Sequence, residues 1–205
     1  MKSSDLIKHL TESGLMPQEE TLELPRSEKN LFIGIPRETA LQENRVALVP
    51  DSVGLLVNNG HRVLIESKAG EPANFTDKDY SEAGAEIVSD AKDVYRANII
   101  IKVAPPTLEE VAMFDPMQKQ ILFSALQITS QPKDCMKQLM KQKVTCVAYD
   151  FIKDRDGVYP IVRSMSEIAG NTSILIAAEC LSNVNGGHGV MMGGIPGVKP
   201  TKVVI

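Results

Sequence analysis

An α/β domain with a doubly wound, mostly parallel sheet (Rossmann- or flavodoxin-like) and helices on both faces is the fold class that this 205-residue sequence predicts. Three observations carry that expectation. Short apolar runs of strand length recur from residue 31 onward, and segments with helix start and stop signals fall between them. Glycines and prolines punctuate the junctions. Strands alternating with helices on this spacing build a parallel sheet covered on both faces.

Residues 31–35 read as a buried strand, stopped by Pro36, which has no N–H to give to a ladder. Residues 50–60 follow as a helix, capped by Asp51 or Ser52 and closed by Gly60 in the left-handed conformation that glycine tolerates. Residues 61–66 form a second strand. A turn-rich stretch, 68–74, then leads to a helix that Thr76 caps and Gly84 ends. Strands are expected at 86–88 and, more strongly, at 98–103. Thr107 with Glu110 is a capping box opening a helix over 107–113. Residues 120–124 are another strand, 133–143 a polar-faced helix and 144–150 the sixth strand. A long helix opens with a second capping box, Ser164 with Glu167, and runs through Leu181. A glycine-rich loop over 186–200 precedes an apolar strand at 201–205. A lone helix and strand cannot bury their apolar faces unless something continues them or packs against them.

Residues 1–30 read as an arm. Leu6, Ile7 and Leu10 share one helical face there, and the acidic, proline-bounded stretch 17–25 reads as a linker. Residues 31–163 make the complete α/β domain.

The bulk properties narrow the function classes. Hydrophobic content of 43% and charged content of 23% are those of a soluble globular chain. A net charge of −4 favours neither nucleic acid nor an anionic membrane. No apolar run approaches a membrane span, and the N-terminus is too charged for a secretory signal. Cys135, Cys146 and Cys180 match neither a disulfide framework nor a zinc site, so thiols in a reducing cytoplasm are expected.

The most informative segment is 34–50. Arg37 and Arg45, with Glu38 and Glu43 between them, follow the first strand. In an open α/β sheet, ligands sit outside the carboxyl ends of strands. A guanidinium there can grip a carboxylate with two parallel hydrogen bonds, which points to a small carboxylate-bearing substrate. The alternative is a solvated surface pair of little consequence.

Several segments, in order, carry a family resemblance. They are Gly34-Ile-Pro-Arg-Glu-Thr39 with Glu43-Asn-Arg-Val-Ala-Leu-Val-Pro50, Ala69-Gly70 with Thr76-Asp77, Ile101-Lys-Val103 before a proline, Met165-Ser-Glu-Ile-Ala-Gly170 and Met192-Gly-Gly-Ile-Pro-Gly-Val-Lys-Pro200. The sequence resembles the alanine dehydrogenase and nicotinamide nucleotide transhydrogenase α-subunit family over roughly residues 32–205, with the last two segments nearer alanine dehydrogenase. The resemblance implies a substrate-binding N-terminal domain, a second Rossmann domain for NAD, and hydride transfer in the cleft between them. Residues 164–205 would be the linker helix and first strand of that second domain, left incomplete. The Gly-x-Gly-x-x-Gly loop that holds dinucleotide phosphates is absent from these 205 residues, and residues 186–192 read as a connecting loop.

Carried over residue by residue, the resemblance makes Arg45 the substrate-carboxylate ligand. It makes Ser166 a residue that touches the dinucleotide, beside a helix-capping role. The family has a Lys-Val-Lys-Glu-Pro segment where this chain has Lys102-Val103-Ala104-Pro105, so Ala104 replaces the lysine that contacts substrate. Lys102 shares its strand face and is a weak catalytic candidate. Gln127, the other, stands where the family has its catalytic histidine. Glutamine can hydrogen-bond a carbonyl but cannot exchange a proton near neutral pH. His9, His61 and His188 lie elsewhere in the chain.

Three readings follow. The first is the substrate domain of an NAD-dependent alanine dehydrogenase-like oxidoreductase, interconverting L-alanine with pyruvate and ammonia or acting on a related 2-oxo acid, and inactive as these residues alone. The second is a transhydrogenase α-like chain. The third is a non-catalytic ligand-binding or assembly module. Expected partners are a small carboxylate and either further copies of the chain or the NAD-binding part.

Overall fold

The computed structural model describes residues 30–198 and 200–204. The helix and linker expected within residues 1–29 lie outside the described residues. From residue 31 onward the chain forms one unit. Its elements run β1 (Phe32–Ile35), α1 (Pro50–Asn58), β2 (Arg62–Glu66), α2 (Asp77–Glu82), β3 (Glu86–Val88), α3 (Ala91–Val94), β4 (Ile99–Ile101), α4 (Leu108–Val111), β5 (Ile121–Ser124), α5 (Lys133–Lys141), β6 (Thr145–Ala148) and α6 (Pro160–Leu181). The six strands lie in the order β3-β2-β1-β4-β5-β6, and every pairing between them is parallel.

Each face of the sheet has its own core. Ile33, Ile35, Val63 and Ile65 pack on Val53 of α1 and Tyr80 of α2. Ile100 and Leu122 pack on Tyr95, Val111, Phe114 and Leu139. Burial on both faces explains the uninterrupted apolar strands. Two glycines are set by packing. A Cβ on Gly34 would lie 2.5 Å from the Val94 carbonyl oxygen, and one on Gly70 would lie 2.5 Å from the Tyr80 ring.

The helix ends partly match expectation. Thr76 caps α2 as expected, within a box that Asp79 completes, and the expected Thr107–Glu110 box is formed. Gly60 and Gly84 take positive φ after their helices. Neither Asp51 nor Ser52 caps α1, because Pro50 opens the helix and Val49 stands at the cap. The fixed φ of proline suits a first helical position, where its missing N–H costs nothing. The same physics starts α6 at Pro160, upstream of the expected box. Ser164 and Glu167 therefore sit inside the helix. The Ser164 hydroxyl donates to the Pro160 carbonyl at 3.0 Å, and Glu167 pairs with Arg163 at 2.8 Å. Residues 201–204 form no strand among the described residues. A lone extended segment has no ladder to join.

Along α6, Ile168, Ile174, Leu175 and Ile176 are exposed. No helix among the described residues is long and apolar enough to cross a membrane.

The strand order reverses between β1 and β4. In a doubly wound sheet, the crevice outside the carboxyl ends of those two strands is where ligands bind.

Candidate functional site

Beyond β4, Lys102 continues the strand and donates its main-chain N–H to the Phe123 carbonyl at 2.9 Å. Its side chain is only 1% exposed. A buried ammonium needs partners, because desolvating it unpaired costs far more than a hydrogen bond returns. It has two. Lys102 Nζ lies 3.1 Å from Glu38 Oε2 and 2.9 Å from Glu110 Oε1. Glu38, from the loop after β1, also accepts the Val103 amide at 2.6 Å and the Ala104 amide at 3.3 Å. Glu110, from the first turn of α4, accepts the Thr107 amide at 2.8 Å and the Thr39 hydroxyl at 3.3 Å. This triad ties the loops after β1 and β4 together at the switch point. All of the ammonium's strong contacts are to these carboxylates.

On the sheet face of Ile101 lies a cavity of about 260 Å³, lined by Arg45, Lys102, Val103, Phe123, Tyr149 and Met165 among others. Arg45 is part of its lining, with the side chain more than half exposed. One edge of the guanidinium is already taken: Nε and Nη2 donate to the two Glu43 oxygens at 2.8 and 2.6 Å. Nη1 lies 3.1 Å from the Met165 sulfur. The hydrogen bond from Arg45 holds the Glu43 carboxyl below its usual range, and Glu43 in turn raises Arg45. Glu43 thus orients the fork and leaves Nη1 with only a weak sulfur contact. The Tyr149 hydroxyl donates to the Val103 carbonyl and is pushed up by burial, which keeps it a neutral donor.

Gln127 does not line this cavity. It takes a left-handed φ of 44°. Its main-chain N–H donates to Asp150 Oδ2 at 3.0 Å, while the Leu126 main-chain N–H donates to Oδ1 at 3.2 Å. Asp150 therefore holds the turn after β5. Ala104 is buried, its amide given to Glu38. Ser166 sits on α6 with its hydroxyl donating to the Val162 carbonyl at 2.9 Å, so it caps no helix.

Of four residues at this edge, Glu38, Glu110, Tyr149 and Asp150, only Glu110 carried a role in the sequence, as half of a capping box. The signal for the first two was Lys102 itself, a cation within an apolar strand run that must find carboxylates. Nothing local announces Tyr149 or Asp150.

The geometry defines a doubly wound α/β domain with an arginine-lined cavity of about 260 Å³ beside its switch point. Residues 34–169 match the family described as alanine dehydrogenase/PNT, N-terminal domain, and the chain belongs to that family. It is 43% identical over 176 residues to an alanine dehydrogenase of Methanococcus maripaludis, covering 85% of this chain and 46% of that protein. Against alanine dehydrogenase 2 of Staphylococcus aureus it is 42% identical over 173 residues, covering 84% and 46%. The chain spans about half the length of these relatives. Among solved structures, an L-alanine dehydrogenase superposes with a TM-score of 0.77 at 40% identity over 82% of this chain and 46% of that one. A transhydrogenase from Sinorhizobium meliloti shares the fold, with a TM-score of 0.55 at 24% identity over 60% and 36%.

Proposed function

We propose that this chain is the substrate-binding part of an NAD-dependent oxidoreductase of the alanine dehydrogenase type, converting L-alanine to pyruvate and ammonia or acting on a closely related amino or 2-oxo acid. The observation that supports this most directly is the Arg45 cavity at the switch point, in a chain 40–43% identical to alanine dehydrogenases. Arg45 receives the substrate carboxylate through the Nη1 side of its fork, with Glu43 fixing the other side. Phe123 and Met165 shape the wall against which a short aliphatic substituent rests. The cavity suits a molecule of a few heavy atoms.

The described residues do not fit the NAD diphosphate. Residues 186–189 wrap the carboxyl end of α6: the Gly187 amide goes to the Ser182 carbonyl and the Gly189 amide to the Leu181 carbonyl. A helix carboxyl end presents oxygen, whereas a diphosphate needs free amides at a helix start. We assign NAD binding to the remainder of the whole protein and the exposed apolar residues of α6 to burial against that remainder or a second copy. We assign the protein to the cytoplasm, the compartment that keeps thiols such as Cys135, Cys146 and Cys180 reduced.

A second reading rests on Ala104 and Gln127. The first is buried without a functional group and the second is outside the cavity. Beyond Arg45, and with Lys102 held by Glu38 and Glu110, this edge therefore binds a carboxylate without a free cation or proton-exchanging group for the substrate's carbonyl. The whole protein then senses its ligand rather than transforming it. NAD-dependent oxidation of L-alanine by the full-length protein separates the two readings. Turnover that falls at least tenfold in kcat/KM on Arg45→Ala supports the first. Pyruvate binding without turnover supports the second, and unchanged turnover in Arg45→Ala removes the clamp from both.

A further inference from the structure

Met165 lines the Arg45 cavity from the second turn of α6, half-buried, with its sulfur 3.1 Å from Arg45 Nη1. A guanidinium holds five N–H donors in a planar fork. Glu43 takes one from Nε and one from Nη2, so the edge that remains is the one Met165 meets. A thioether is a weak acceptor. The contact therefore sets a strong donor against an oxidisable atom.

A thioether sulfur has two lone pairs, and the one facing Arg45 leaves the other for a hydroperoxide. That pair attacks a peroxide oxygen: an S–O bond forms and the O–O bond breaks. With hydrogen peroxide, the departing hydroxide takes the proton of the transferred hydroxyl and leaves as water. The sulfur is oxidised to the sulfoxide and the peroxide is reduced.

The product is a different partner for Arg45. A sulfoxide oxygen accepts strongly, and its bond from a guanidinium is charge-assisted. Methionine is unbranched with three rotatable bonds, so the side chain can turn the new oxygen toward Nη1. A cavity of about 260 Å³ has room for one added atom.

We propose that Met165 is an oxidation site whose sulfoxide oxygen bonds Arg45 Nη1 and closes the Arg45 cavity to carboxylates. The closure rests on the reading of Arg45 as a carboxylate ligand, whereas the bond to the sulfoxide does not. Enzymes that reduce methionine sulfoxide would reopen the cavity.

Calorimetric titration of the full-length protein with pyruvate, with and without NADH, reads the closure. Hydrogen peroxide is added first, and peptide mass spectrometry locates the added oxygen. Met117 and Met140, 84% and 78% exposed, serve as references for complete conversion. Conversion of Met165 should raise the pyruvate Kd about fivefold, one hydrogen bond's worth. The two methionine sulfoxide reductases, one for each sulfoxide epimer, should restore it. Met165→Leu keeps the volume and sets its own baseline, which the same treatment should leave in place. That control separates Met165 from the other methionines. Met165→Gln puts an amide oxygen near the place of the sulfoxide oxygen, and should bind pyruvate about fivefold more weakly than Met165→Leu.

The bond itself is read without ligand. In a double-mutant cycle on the thermal midpoint, Arg45→Ala should cost more in the Met165→Gln chain than in the unsubstituted one. Equal costs overturn the bond. Unchanged pyruvate affinity after conversion of Met165 overturns the closure. A Met165 left unoxidised when Met117 and Met140 are fully converted overturns the site. If the untreated protein takes no pyruvate, the carboxylate reading fails, while the cycle and the mass spectrum still decide the bond and the site.

Discussion

Replacing Lys102 with methionine should be among the most damaging single changes in this chain. The ammonium and its two carboxylates have side chains 1%, 4% and 7% exposed, at separations of 3.1 and 2.9 Å. The cluster already holds one negative charge in excess. Its surplus is offset by the amides of Val103, Ala104 and Thr107 and the Thr39 hydroxyl. Lys102→Met keeps the stem's volume and removes the only cation, so two carboxylates are left buried together. Breaking a buried ion pair from one side costs about 3–5 kcal/mol, a large share of the roughly 5–15 kcal/mol that holds a domain folded. Urea unfolding at neutral pH reads this as a fall in midpoint with an unchanged slope. The combined variant Lys102→Met, Glu38→Gln, Glu110→Gln should recover most of the loss, because neutral amides still accept the same backbone donors. A Lys102→Met loss below about 1 kcal/mol, the scale of an exposed pair, would refute the reasoning. So would a combined variant as unstable as the single one.

Two further outcomes are expected. Gly34→Ala should lower stability by about 1–3 kcal/mol through overpacking, because its Cβ would press on the Val94 carbonyl; an unchanged melting midpoint would show that α3 can move aside. The Glu43 carboxyl is held below its ordinary value of 4.5 by Arg45, so its contribution is present above that value and lost as pH falls through the folded one. The stability gap between the unsubstituted chain and Glu43→Gln should therefore be widest near neutral pH and close on acidification. Its size should stay near 1 kcal/mol or less because Arg45 is mostly exposed. Parallel pH curves for the two chains would contradict the pairing.

Much of the fold was legible because its signals are local. Apolar runs, Gly60 and Gly84 at helix ends, the Thr76 cap and the box Thr107–Glu110 are written within a few residues of where they act. The helix starts at Pro50 and Pro160 were misplaced for the same reason. Each offered a serine or aspartate cap a residue or more downstream, and proline's preference for the first turn prevailed. Arg45 stood out from its place after the first strand, and it lines the cavity there. Its pairing with Glu43, two residues away, was open to reading only as one option among several.

Sequence alone determined that this chain alternates strand and helix, that its strands are buried on both faces, and which family it resembles. Apolar periodicity and caps are short-range properties that a linear reading can count. Tertiary structure decided what the edge of the sheet does. Glu38 reaches Lys102 from 64 residues away, and Tyr149 reaches Val103 from 46. Gln127 is turned into a left-handed corner by Asp150, 23 residues downstream. Contacts of that span follow from strand order, because parallel pairing places the carboxyl ends of distant segments side by side, and no local pattern encodes which loops will meet there.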